Sequence, residues 1–130
     1  MGKALYADCP LTKKAIADAL QIKSPSVWRY DKTAYYFVRD YQQDYPELPK
    51  EQWLIKKSKH DRTIPLTPYQ TWVISLIRTA FVILKKEKLV REYIQVNGYV
   101  FSKSKYTLLN AELYCKRLIA ELFANAISLA

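Results

Sequence analysis

Glycine is nearly absent from this chain, with 2 in 130 residues. A loop that brings backbone amides up to a phosphate needs glycines at fixed spacing, so the dinucleotide-binding fingerprint and the P-loop are excluded. Cysteine is equally scarce. Cys9 and Cys115 stand far apart and belong to no metal-ligand cluster, which predicts reduced thiols in a cytoplasmic protein. The only histidine, His60, has Asp61 beside it but no nucleophile motif. Catalysis is therefore not expected, and neither is a metal or a cofactor. A membrane-length apolar run is missing too. The stretch from Trp72 to Leu84 is interrupted by Arg78 and falls short of the ~20 apolar residues that a span needs. No secretory leader is expected at the N-terminus.

Positive charge and apolar side chains are abundant. Lysine and arginine number 21 against 12 acidic residues, a net charge of +9, which suits a polyanionic partner. Half of the residues are hydrophobic, so the chain is a folded, mainly helical protein and not a basic tail. Its length allows one core, or a core split into two small lobes.

Residues 12 to 33, TKKAIADALQIKSPSVWRYDKT, carry the densest local signal. Thr12 can cap a helix whose apolar face holds Ile16 and Leu20, with Leu11 stapled onto Ile16. Ser24 as cap and Pro25 at the first helical position start a second helix. Its stripe runs through Val27, Tyr30, Ala34, Phe37 or Val38, and Tyr41, and Pro46 is expected to end it. This segment resembles the helix-turn-helix superfamily. Ala17 matches the small residue that lets the two helices cross closely. Leu20, Ile22, Val27 and Tyr30 match the apolar positions around it, while Gln21 stands where a glycine is favoured.

The resemblance implies that the outward face of the second helix enters the DNA major groove. Lys23, Ser24 and Ser26 would lie at its N-terminus, where free amides can meet a phosphate. Arg29 and Lys32 would follow, with Thr33 beside them. Arg29 is the expected base reader, because a guanidinium can bond a guanine edge in two places. Lys13, Lys14 and Lys32 are expected phosphate contacts. Trp28 either stacks on a sugar or thymine methyl, or is buried against the C-terminal half; burial is slightly favoured.

Farther along, Thr67, Pro68 and Gln70 form a capping box that opens a buried helix over Trp72 to Leu84. The run Lys85 to Glu92 is expected to continue that helix as a solvated end, or to bind phosphate. Asn97-Gly98 between the arms Tyr93–Val96 and Tyr99–Ser102 predicts a β-hairpin. Lys103 and Lys105 at its exit leave it a nucleic-acid role. A last apolar helix runs from Leu108 to Leu129. Between the halves, Pro46, Pro49 and Pro65 break up a connector with a short helix over Lys50 to Lys57 and a cationic loop from Lys56 to Arg62. Asp40, Asp44 and Glu47 form a solvated helix face or, less readily, a cation site. The eleven tyrosines, Tyr35-Tyr36 among them, serve packing or base stacking.

The expected fold is mainly α: an N-terminal helix-turn-helix in residues 1–45, a basic connector in 46–66, and a helical oligomerisation lobe with one β-hairpin in 67–130. The expected function is sequence-specific binding of double-stranded DNA by a small transcriptional or replication regulator. It would act in the cytoplasm as a homodimer or higher homo-oligomer paired through the C-terminal helices, with no membrane partner. The same arrangement resembles phage terminase small subunits, which would make the chain a DNA-packaging adaptor. A non-enzymatic protein-interaction adaptor, docking a partner on its apolar C-terminal helices, is the alternative from another class.

Overall fold

The computed structural model describes residues 4–44 and 65–128. Among these residues the chain is helical and contains no strand; its one β-bridge joins Leu11 to Leu66. Most of the basic connector, with the helix expected at residues 50–57, His60, the cationic loop and Glu47, lies outside the described residues.

Helix α1 (Lys13–Leu20) starts as its sequence predicts, with the Thr12 hydroxyl accepting from the Ala15 amide at 3.2 Å. It ends in a Schellman turn: the Ile22 amide reaches back to the Ala17 carbonyl and the Gln21 amide to that of Asp18. Gln21 sits in the left-handed region (φ 57, ψ 45), at the position where a glycine is favoured. A left-handed non-glycine residue costs about 1–2 kcal/mol, against roughly 0.5–1 for the extra chain entropy of glycine. Gln21 is exposed. The variant Gln21→Gly is therefore expected to gain about 0.5–1 kcal/mol and a few degrees in Tm, read by thermal denaturation; a lower Tm would contradict this geometry.

Helix α2 (Ser24–Phe37) begins one residue earlier than expected. Lys23, not Ser24, is its cap, and no side chain closes its first turn. Val27, Tyr30 and Ala34 are buried as the stripe predicts. The helix does not run on to Pro46. It breaks at Val38, which adopts an extended backbone (φ −114, ψ 106), and α3 (Arg39–Gln43) follows in a new direction. The break lets Tyr41 fold back so that its hydroxyl donates to Asp31. In an unbroken helix ten residues would separate these two by ~15 Å.

Helix α4 (Pro68–Leu84) is the centre of the molecule. Both halves of its capping box form: the Thr67 hydroxyl accepts from the Gln70 amide, and Gln70 Oε1 accepts from the Thr67 amide. Every side chain from Tyr69 to Ser75 is buried, and so are Ile77, Ala80 and Phe81. A helix apolar all round must be covered, and this one is covered except near its C-terminal end, where Val82 and Ile83 are exposed. Here α2, α3, α5 and α6 pack on it, and the N-terminal segment lies alongside, with the Leu5 amide bonded to Ser75 Oγ at 2.9 Å. Among the described residues one core thus runs from Ala4 to Leu109, drawing on α1 and α2 as well as on the helices after the connector.

Two expectations for residues 85–102 are overturned. The polar run does not extend α4, because Lys85 turns left-handed (φ 65) and a new helix, α5 (Glu87–Val96), begins. The Asn97-Gly98 hairpin is also absent. Val90 and Ile94, four residues apart, are buried as one face of α5, and Gly98–Phe101 continues as a 3-10 turn that inserts Phe101 into the core. The two-residue hairpin turn that Asn-Gly favours needs positive φ at both residues, and neither has it. Asn97 instead caps α5, its amide side chain donating to the Tyr93 carbonyl.

Helix α6 (Lys103–Ser128) is 26 residues long, and its first turns pack Tyr106 and Leu109 on the core. Asp40 and Asp44 form neither a solvated face nor a cation site. Asp40 accepts from the Lys103 amide at the start of α6, and Asp44 bonds both Thr67 Oγ1 (2.9 Å) and Lys103 Nζ (2.6 Å). One short helix thereby anchors the N-termini of two long ones. Nearby, the Tyr69 hydroxyl donates to the Phe101 carbonyl. Burial holds its pKa well above the usual phenol value, and the charges of Asp40 and Asp44 push it further the same way. No helix among the described residues is long and apolar enough to cross a membrane.

Candidate nucleic-acid interface

The nine residues expected to meet DNA do not all lie at the surface. Lys14, Lys23, Ser24, Trp28, Arg29 and Lys32 are exposed, and Ser26 is half-buried. Lys13 and Thr33 are corrections. The Lys13 ammonium is 1 % exposed and pairs at 3.3 Å with Asp31, itself fully buried on α2. A phosphate cannot reach it there; it fastens α1 to α2. Thr33 is turned inward, its hydroxyl donating to the Arg29 carbonyl one turn earlier, so it offers nothing to a ligand.

Trp28 reverses the burial that was slightly favoured for it. It is 47 % exposed, with Lys13 Nζ 6.0 Å from its ring centroid, and it packs at the α1–α2 junction and not against the C-terminal half. Arg29 is exposed but not extended into solvent. Its guanidinium lies 4.4 Å from the centroid of Phe81 and 5.8 Å from that of Tyr30, two rings that contact each other. The aromatic floor holds the charge at the edge of α2, on the side of α4 and α5.

Helical spacing orders the outward face of α2. Pro25, Trp28, Lys32 and Tyr36 recur at intervals of three and four and are all exposed, while Val27, Tyr30 and Ala34 occupy the opposite, buried face. No carboxylate among the described residues pairs with Arg29 or Lys32. Lys23 and the uncapped first turn of α2 add the positive end of the helix dipole at one end of this face.

Beside it lies a groove of about 640 Å³ between α2 and α5, lined by Arg29, Lys32, Thr33, Tyr36 and Phe37 from the first and by Glu87 and Arg91 from the second. Arg91 and Glu87 form an i,i+4 ion pair at 3.3 Å, both about half exposed. Arg91, Glu87 and Tyr36 were not named among the DNA contacts; the sequence marked the first two only through the run at residues 85–92, with phosphate binding as its second reading, and Tyr36 only through base stacking by Tyr35-Tyr36. The run becomes informative only when α5 is known to be a separate helix packed on α2.

Lys103, expected at a hairpin exit, is held by Asp44, and its ammonium lies 5.9 Å from the Tyr69 ring. Among the described residues no group of histidine, cysteine and carboxylate side chains could hold a metal. No family model, curated protein or solved structure matches this chain.

Proposed function

We propose that the protein binds double-stranded DNA, with α1 and α2 acting as a helix-turn-helix and α2 lying in the major groove. One observation carries this: a tight left-handed turn at Gln21 joins two packed helices in which Ala17, Val27 and Tyr30 are buried, and leaves Trp28, Lys32 and Tyr36 on the outer side of the second with Arg29 at its edge. These are the residue types that meet a duplex, two cations and two aromatics, and the net charge of +9 favours a polyanion. Lys32, Trp28 and Tyr36 take the base-facing positions in this account. Arg29, stacked on Phe81, moves from base reader to backbone contact. Lys14 and Lys23 remain phosphate contacts. A role in transcription or replication control, or in DNA packaging, would follow from the site recognised.

The test is a titration of the protein against random-sequence duplex DNA and single-stranded RNA at several salt concentrations. Duplex binding should fall steeply with salt. Lys32→Ala should weaken it by about 1–3 kcal/mol if Lys32 meets a base, while Tm stays within about 0.5 kcal/mol of equivalent stability. Equal or tighter binding of single-stranded RNA, or no binding at low salt, would contradict the proposal.

A second reading, a protein-interaction adaptor, rests on a separate feature. An apolar groove of about 220 Å³, lined by Leu76, Ala80, Ile83, Tyr93, Val100 and Phe101 among others, lies open near the exposed side chains of Val82, Val96 and Tyr99. Leu108, Ile119 and Leu122 on α6 are exposed as well. A second copy of the chain covering these side chains would give the homo-oligomer expected from the sequence, seen as a doubled mass in sedimentation.

A further inference from the structure

The groove between α2 and α5 has no part in a helix-turn-helix as such, yet it brings Arg29, Lys32 and Arg91 to one side of the proposed recognition helix. We infer that this groove is a track for the phosphodiester backbone of one DNA strand, with Arg91 as a phosphate contact from outside the helix-turn-helix and Glu87 as the anion that phosphate must displace. The inference rests on the duplex-binding proposal and assigns one flank of that site.

Dimensions give the first argument. A helix with its side chains is ~10–12 Å across and the major groove is ~12 Å wide. A helix lying in it therefore has a sugar-phosphate ridge along each flank. On the flank of α2 toward α5, what awaits the ridge is a trough edged by charged side chains and not a wall. Arg29 stands over its Phe81 floor and Arg91 faces it from α5, while Lys32, at i+3 from Arg29, forms the rim of the trough on the base-facing side. Two guanidinium groups meet one carboxylate there.

Charge placement gives the second. Among the described residues, Glu87 is the carboxylate that lines this trough, and it is 3.3 Å from Arg91. Exposed pairs of this kind are worth only about 0.2–1 kcal/mol, because water screens both partners. The pair is a single Nη2–Oε2 contact, whereas a phosphate can bond the guanidinium through two oxygens at once, so exchange of partner is favourable. Glu87 then opposes the incoming phosphate. Its removal should strengthen binding, an effect of opposite sign to the loss of Arg91.

The experiment measures duplex affinity and its salt dependence for the full chain and for Arg91→Ala, Glu87→Gln and Lys32→Ala, using two duplexes of unrelated sequence. Arg91→Ala should bind both duplexes about two- to five-fold more weakly, by an equal factor, with a salt slope shallower by about 1. Glu87→Gln should bind both about two- to five-fold more tightly. Since both side chains are about half exposed, Tm should barely move. If Lys32→Ala loses duplex binding while Arg91→Ala and Glu87→Gln match the parent, the backbone track is overturned and the helix-turn-helix proposal stands. If the parent binds neither duplex at low salt, both fall.

Discussion

Replacing Lys13 with methionine should destabilise the protein by about 3–5 kcal/mol, one of the largest effects of any single substitution, although lysine is usually a surface residue. The ammonium is 1 % exposed and its partner Asp31 is fully buried, with Tyr41 donating to the other carboxylate oxygen. Methionine fills the same volume but leaves a buried carboxylate without its counter-charge, and the penalty comes from that stranded charge more than from the lost attraction. Tm should fall by roughly 10–15 °C. Adding Asp31→Asn should recover more than half of the loss, because the amide oxygen still accepts from Tyr41 and no charge remains. Denaturant unfolding of the parent, the single variant and the double variant makes the comparison. A Lys13→Met protein within about 1 kcal/mol of the parent would mean that Lys13 is solvated and available to phosphate after all.

The second large effect separates two tryptophans. Trp72 is 1 % exposed in α4, with the rings of Tyr69 and Tyr106 at 6.2 and 5.3 Å between centroids. Its indole N–H finds no acceptor among the described residues, so packing is its whole contribution. Truncation to alanine should cost about 3–5 kcal/mol, a large share of the 5–15 kcal/mol typical of a domain. Trp28→Ala, half exposed on α2 and packed in part at the α1–α2 junction, should cost no more than about 1–2 kcal/mol and should in addition weaken duplex binding. Equal losses of stability in the two variants, followed by denaturant unfolding, would contradict the assignment of Trp28 to a ligand-facing surface.

Signals that act within a few residues were legible before the structure. The Thr12 cap, the Thr67–Gln70 capping box and the buried spacing of Ala17, Val27 and Tyr30 are each complete within one or two helical turns. Signals that need a distant partner were not. Nothing near Lys13 announces burial, since Asp31 lies on another helix and becomes its neighbour only when α1 crosses α2. The break at Val38 carries no glycine or proline, and the Tyr41–Asp31 bond that it permits joins residues ten apart in sequence. Asn97-Gly98 misled because its flanks are rich in β-prone residues, whereas Val90 and Ile94 stand four residues apart on a helical face that the core selects. The same limit applies to the candidate site. Lys14 on α1, Lys23 at the cap of α2, and Arg29 and Lys32 on α2 were legible as exposed cations, while Arg91 joins Arg29 and Lys32 only through the packing of α5 on α2.

The most direct test of the account maps the binding surface itself. Backbone amide shifts of the isotope-labelled protein, followed during titration with a random-sequence duplex, should change together over residues 23–36 and at residues 87–91, and these changes should reverse with added salt. No shifts at low salt, or shifts gathered around Ile83, Tyr99 and the outer half of α6, would contradict DNA binding through α2 and favour a protein partner on the apolar face.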